Sequence, residues 1–421
     1  MSSSLESKSV YIHQFGALPL EIVDLIHSFS TRESSAALRL VCVRFSQGHR
    51  WRRCRLLATA SDIEASQVSR VLRSASLTRL SLANCRVLSS AKVEQILSGT
   101  NRLTRLDLCG LAVERELFWR LPSLVPYLRD LNAGLVQTTD SQPWTMGDFC
   151  HLQALTALER LDLPMWRDIS FLADGFAALR SIACRSMSAL DDAAETRAVL
   201  PGLTQLTHIS LARSGPVFDD FAQSIRTLRK LEFVDVRSTT ISDAGVRLLL
   251  EVFCDTLTGL VCNSCRGLLR PFAHVQSASE LPRLERVEFD ECSLTAGHWM
   301  VLAQLTSLRR LNANSCSLGD FRVLQLRALT RLEHLELASN SVTDAVLIRG
   351  LCDLRRLEKV NLMHNFVSDA GVAAMARSWP FVRELNLFGN DEVTERGLFM
   401  LGHALPDARV IVPFHLDRRQ C

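Results

Sequence analysis

Leu332-Glu-His-Leu335-Glu-Leu337-Ala-Ser-Asn340 is followed 25 residues later by Leu357-Glu-Lys-Val360-Asn-Leu362-Met-His-Asn365, and after another 25 by Val382-Arg-Glu-Leu385-Asn-Leu387-Phe-Gly-Asn390. This nine-residue phrase decides the fold. Its fourth and sixth positions are apolar and alternate with polar neighbours, the period-two pattern of a half-buried strand. The ninth position turns inward after the strand, where an Asn side chain can hydrogen-bond the backbone of neighbouring turns.

Further copies begin at Leu77, Leu103, Leu128, Leu158, Leu179, Leu206, Leu231, Leu257, Leu284 and Leu308. Most starts lie 24 to 27 residues apart; the intervals after Leu128 and Leu158 are 30 and 21. In several copies the ninth position is Cys85, Cys265, Cys292 or Cys316. A small thiol packs well in such a slot. Between phrases, Ser242-Asp-Ala-Gly-Val and Ser368-Asp-Ala-Gly-Val read as capped helix starts. One strand-plus-helix unit cannot bury its own apolar face, so the units must stack.

The phrases resemble the cysteine-containing, ribonuclease-inhibitor-like class of leucine-rich repeats. The resemblance implies an α/β solenoid, a horseshoe with parallel strands on its concave face and helices on its convex face. It covers residues 77–407 as an array of about thirteen units. Ala408-Arg-Val-Ile411-Val-Pro reads as a last strand without a helix, making residues 408–421 a C-terminal cap and tail. The irregular stretch around Trp144, inside the 30-residue unit, reads as a loop that either serves binding or packs back onto the array.

Residues 15–50 fall outside the repeat. Leu18-Pro-Leu-Glu21-Ile22 opens a helix with Pro in its first turn, and Leu18, Ile22 and Ile26 share one face. Ser30-Thr-Arg-Glu33 reads as a capping box for a second helix that carries Leu38, Val41, Cys42 and Phe45. In this register the segment resembles an F-box, although Ser30 and Ser35 stand where that family prefers Leu. The resemblance implies a small all-α module that grips a Skp-family adaptor through Leu18, Pro19, Ile22, Ile26, Val41 and Phe45. The whole chain then resembles an F-box/leucine-rich-repeat protein, the substrate-recognition subunit of an SCF-type cullin–RING ubiquitin ligase. A ligase-independent interaction scaffold or inhibitor-like binder is the alternative. Residues 1–14 read as a disordered tail and 51–76 as a linker with an atypical capping repeat.

Composition narrows the function classes. Lys and Arg total 48 against 45 Asp and Glu, a net charge of +3, which argues against a general nucleic-acid binder. No apolar run is long enough to span a membrane, and the Ser-rich start lacks the apolar core of a secretory signal. The expectation is a cytoplasmic or nuclear protein whose thirteen cysteines are free thiols. Cys262-Asn-Ser-Cys265 has metal-ligand spacing, but one Cys occupies a strand-core slot and the other the ninth position, so both read as packing. Phosphate loops, dinucleotide fingerprints and catalytic constellations are missing from the sequence. A non-catalytic chain without cofactor or metal is expected.

By alternation, the third, fifth and seventh positions of each phrase face away from the buried leucines. The expected target-binding residues there are Asp235, Arg237, Glu288, Asp290, Asn312, Asn314, Glu336, Met363 and Phe388. The column of carboxylates and amides suits a basic or amide-rich target segment. Met363 and Phe388, beside His364, supply an apolar anchor.

Overall fold

The computed structural model describes residues 39–41, 53–57, 78–85, 88–100, 102–140, 142–164, 170–172, 175–184, 199–212, 219–275 and 278–412. The chain divides into two compact units: residues 1–164 with 174–179, and residues 165–173 with 180–421.

In the first unit, β1 (Arg39–Val41) pairs antiparallel with β2 (Arg53–Leu57). From β2 onward the pairing is parallel, through β3 (Arg79–Ser81), β4 (Arg105–Asp107), β6 (Asp130–Asn132) and β8 (Arg160–Leu163). A small second sheet joins β5 (Ala112–Val113) to β7 (Gln137–Thr138). Helices α1 (Ser90–Leu97) and α2 (Glu116–Leu124) follow β3 and β5, and a single turn, α3 (Met146–Phe149), precedes β8. The fourth phrase position stays in register throughout, Leu80 beside Leu106, Leu131 and Leu161. All four leucines are buried.

The second unit repeats this order with ten parallel strands: β9 (Ser181–Cys184), β10 (His208–Ser210), β11 (Phe233–Asp235), β12 (Gly259–Val261), β13 (Arg286–Glu288), β14 (Arg310–Asn312), β15 (His334–Glu336), β16 (Lys359–Asn361), β17 (Glu384–Asn386) and β18 (Arg409–Ile411). The register again follows the phrase, with Leu335 opposite Val360, Val360 opposite Leu385 and Leu385 opposite Val410. Among the described residues, six helices return between the strands: α4 (Asp220–Ser224), α5 (Asp243–Val252), α6 (Ala296–Leu302), α7 (Asp320–Gln325), α8 (Asp344–Arg349) and α9 (Asp369–Ser378). A seventh, α10 (Glu395–Ala404), precedes β18. Short 3₁₀ turns also occur between strands, at Leu200–Gly202 and Ala278–Glu280. Leucines of the fourth and sixth positions meet the inner faces of these helices, and that layer is the core. The fold is an α/β leucine-rich-repeat solenoid, because each phrase contributes one strand to an in-register parallel sheet.

One expectation needs correction. Val41 was assigned to a helix, yet Arg39–Val41 is the strand β1, with Val41 opposite Arg55. A β-branched residue suits a strand, and β1 covers the edge of β2 that faces away from β3, which an exposed sheet edge requires. The other proposed adaptor contacts, Leu18, Pro19, Ile22, Ile26 and Phe45, lie outside the described residues. Of the two readings for the loop around Trp144, the structure shows the one in which it packs inward. Its ring lies edge-on to Phe118 at 5.2 Å, and its Nε1–H donates to Val136 O at 3.1 Å. Arg115 holds the loop, donating to Asp140 at 3.2 Å, to Asp148 and to the carbonyls of Gln142 and Pro143. The same guanidinium lies over the Trp144 ring at 5.6 Å.

Candidate functional site

The ninth-position slot makes the strand face rigid. Asn340 Nδ2 donates to Ala313 O at 2.9 Å, Asn365 to Leu337 O at 2.9 Å and Asn390 to Leu362 O at 2.8 Å. Each acceptor is the sixth-position carbonyl of the preceding unit. The thiols do the same work: Cys265 Sγ donates to Val236 O at 3.1 Å, Cys292 to Cys262 O at 3.1 Å and Cys316 to Phe289 O at 3.0 Å. Burial pushes the Cys292 and Cys316 thiols up to about 12, so they stay protonated donors. An Asn adds an acceptor, taking the Leu318, Val342 and Val367 N–H groups at 2.9–3.0 Å. The eighth position is left-handed from unit to unit, at Ser238, Ser264, Glu291, Ser315, Ser339, His364 and Gly389. At Gly389 a Cβ would stand 2.1 Å from His364 Nδ1, so glycine is required there by space as well as by φ.

On this frame many of the expected contact residues turn out to be engaged within the chain. Asp235 is buried. Its carboxylate takes Arg237 Nε at 2.9 and 3.0 Å and Ser210 Oγ at 3.1 Å. Asp235 and Arg237 lie two residues apart, on one face of the strand and the turn after it, so the pair closes locally. Glu288 is likewise held by Arg286 at 2.6 Å and by Asn263 Nδ2 at 3.1 Å, with the Arg286 guanidinium over Phe233 at 5.3 Å. The fifth-position amides serve the turn. Asn312 Oδ1 accepts the Asn314 N–H at 3.0 Å, Asn361 the Met363 N–H at 3.1 Å and Asn386 the Phe388 N–H at 3.1 Å. Asn314 Oδ1 accepts the Ala338 N–H at 2.7 Å.

What remains outward is smaller and more polarised than the sequence pattern suggests. Asp290 is half-buried and has no ion-pair partner among the described residues. Burial, together with Glu291, Glu288 and Glu336, pushes its carboxyl up. Among the described residues, the Glu336 carboxylate receives the Asn361 amide alone, at 2.8 Å. Beside these carboxylates stand half-buried Met363 and Phe388, with exposed His364 edge-on to Phe388 at 5.5 Å.

The third phrase position, which the expected target-binding set omits, supplies a row of basic residues: Arg286, Arg310, Lys359 and, past Glu384, Arg409, with His334 between Arg310 and Lys359. Lys359 pairs with Glu384 at 2.8 Å. Burial and the neighbouring Arg310 and Lys359 push His334 down. The row is visible in the phrase itself, at the same period as the leucines. The strand face thus carries a positive edge, a negative strip and an apolar ledge.

Cys262 and Cys265 are both buried, with their thiols pushed up by desolvation, and among the described residues no cluster of His, Cys, Asp and Glu is arranged to hold a metal ion. No described helix is long and apolar enough to cross a membrane.

No protein-family model matches this sequence. The search of curated proteins returns no match. Solved structures with a similar backbone include an internalin (inlF) from Listeria monocytogenes, at 20% identity and a TM-score of 0.46, covering 82% of this chain and 88% of that one. The complex of Rad7 and Elc1 in yeast matches at 17% identity and a TM-score of 0.48, over 84% and 78%. A leucine-rich-repeat protein of Leptospira interrogans matches at 14% identity and 0.39, over 82% and 92%.

Proposed function

We propose that this chain is a non-catalytic protein-binding subunit whose second unit captures a target on its strand face. The observation that carries this reading is the polarised face itself. Asp290 and Glu336 lack an ion-pair partner among the described residues, and they lie between a row of cations and an apolar ledge on a frame fixed by the ninth-position hydrogen bonds. A target segment with a basic side chain for Asp290 and Glu336, followed by an apolar one for Met363 and Phe388, matches that order. Substitution of Asp290 and Glu336 by Lys is expected to weaken target binding by about tenfold or more. Reversal of Asp235, whose charge is already met by Arg237, acts through folding instead. Unchanged target affinity in a folded Asp290→Lys/Glu336→Lys double variant removes this face from consideration.

The finer reading is a substrate receptor of an SCF-type ubiquitin ligase, with target and ubiquitin-loaded partner held together by proximity rather than by chemistry of this chain. Its support is the Leu18-Pro19-x-Glu21-Ile22 … Val41-Cys42 … Phe45 pattern. Co-expression with a Skp-family adaptor tests it. A stoichiometric complex on size exclusion, lost with Pro19→Ala and Ile22→Asp, is the expected result. The strand at Arg39–Val41 favours the competing reading, a scaffold without adaptor, because it occupies part of the second helix that an F-box needs. A folded, monodisperse chain that ignores the adaptor establishes that alternative.

A further inference from the structure

The helix face of the second unit carries a feature that target capture on the strand face leaves unused. Helices α6 to α10 can be aligned on their N-caps, Thr295, Gly319, Thr343, Ser368 and Thr394. Five residues beyond each cap stand Met300, Leu324, Ile348, Ala373 and Phe399. None of these is buried, and Met300, Ile348 and Phe399 are exposed to 59%, 53% and 68%. Successive helices pack on one another, so these residues form one row across the unit. Phe321, exposed to 74%, lies one turn earlier on α7.

Four arginines stand near the row, while Glu395 lies four residues before Phe399 at its far end. Arg327 follows Leu324 by three residues, Arg349 adjoins Ile348, Arg377 follows Ala373 by four and Arg396 precedes Phe399 by three. Arg377 and Arg396 lie one turn from the row on α9 and α10, Arg349 ends α8 next to Ile348, and Arg327 lies in the 3₁₀ turn that follows α7. All four arginines are exposed, and none has an ion-pair partner among the described residues. The aspartates that open α7, α8 and α9 are already committed: Asp320 bonds Thr343, Asp344 bonds Ser368 and Asp369 bonds Thr394. A contiguous exposed apolar row marks a partner site, and the unmet arginines select the partner's charge.

We propose that this face docks an acidic amphipathic helix of a partner protein. The helix lays apolar side chains at i, i+3, i+4 and i+7 along the Leu324–Ile348–Ala373 row, and its flanking carboxylates meet Arg327, Arg349 and Arg377. The row is narrow, two apolar side chains wide on α7 where Phe321 joins Leu324, which suits a helix seam and not the broad plane that a lipid surface offers. Packed helices lie 8–10 Å apart, so three neighbours span roughly 20 Å, the length of a helix of about 14 residues.

The test uses the full chain and a fluorescent peptide of about 18 residues with Leu at those seam positions and Glu elsewhere. A Lys-for-Glu peptide and anionic vesicles serve as comparisons. Fluorescence anisotropy is expected to show saturable binding of the Glu peptide only, weakened by high salt. Ile348→Glu with Phe399→Glu is expected to lower affinity about tenfold or more. Arg349→Glu with Arg377→Glu is expected to switch preference to the Lys peptide. Since all four positions are exposed, circular dichroism should show a native fold for each variant. Absent or charge-blind peptide binding overturns the proposal. So does binding unmoved by Ile348→Glu/Phe399→Glu, binding lost instead with the Asp290→Lys/Glu336→Lys strand-face variant, or vesicles bound in preference to peptide.

Discussion

His298 stands three residues past its N-cap, where the corresponding helices place Val346, Gly371 and Gly397, all core positions. Its ring is buried among Phe272, Phe289 and Trp299, at centroid distances of 5.4, 5.0 and 5.3 Å, and neither nitrogen finds a hydrogen-bond partner. Desolvation drops its pKa from 6.5 to about 3. The folded chain therefore refuses a proton that the unfolded chain accepts below about 6.5. Stability from this residue is full above that pH, declines by up to about 1.4 kcal/mol per pH unit as pH falls towards 3, and levels off below. Urea midpoints of the native chain and His298→Leu, compared between pH 7.5 and 5, should therefore diverge, with the native chain losing more. Parallel curves would show that the ring is solvated or paired in solution. Asp290 works in the opposite sense. Its raised pKa means that the folded state resists its charge, so Asp290→Asn is expected to stabilise the chain at neutral pH. Relief of like-charge crowding across strands is worth about 0.2–1 kcal/mol. A Tm that falls instead would mean that Asp290 makes a favourable contact within the fold.

At the level of the element, the starts of α7, α8 and α9 are each tied to the next unit. Asp344 takes the Ser368 N–H at 2.9 Å and also binds its hydroxyl, while Ser368 Oγ accepts the Ala370 N–H at 3.1 Å. Asp320 serves Thr343 in the same way, and Asp369 serves Thr394. Asp344→Ala should cost about 1–2 kcal/mol, a typical capping loss. In a double-mutant cycle with Ser368→Ala the two losses should be strongly non-additive, because one hydrogen-bonded pair carries both. Additive losses in urea denaturation would show that the two caps act separately. The Ser-Asp pattern is enough to place these helix starts, as at Ser242 and Ser368. It does not show that the Asp serves the following cap, because a single repeat read alone contains only half of the link. The same limit explains the strand face. Alternation tells which residues leave the core, and the Leu335, Val360 and Leu385 register follows from it. It does not tell whether an outward Asp235 or Asn312 is met within its own turn. Val41 reads as helical in its own segment, yet it forms a strand because the edge of β2, further along the chain, recruits it.

The second unit as a whole is ten parallel strands in which each contacts only its neighbours, so its stability is close to a sum of nearest-neighbour terms. Strand β18 supplies the last of these terms. Arg409 N donates to Arg383 O at 2.7 Å, Leu387 N donates to Ile411 O at 2.8 Å, and Val410 lies opposite buried Leu385. Deleting residues 408–421 would bare the edge of β17 together with the flanks of Leu385 and Leu387. An uncovered edge with an apolar face invites a second chain. The expected outcome is a lower Tm and a mass that rises with concentration in light scattering. Nearest-neighbour coupling also bounds the damage. Amide protection should fall in β16 and β17, decline towards β13, and stay unchanged in β3 to β8 of the first unit. Loss of protection in both units together would mean that the chain unfolds as one cooperative body. The ninth-position ladder of Asn390, Asn365 and Asn340 would then act as a continuous brace rather than as a series of local links.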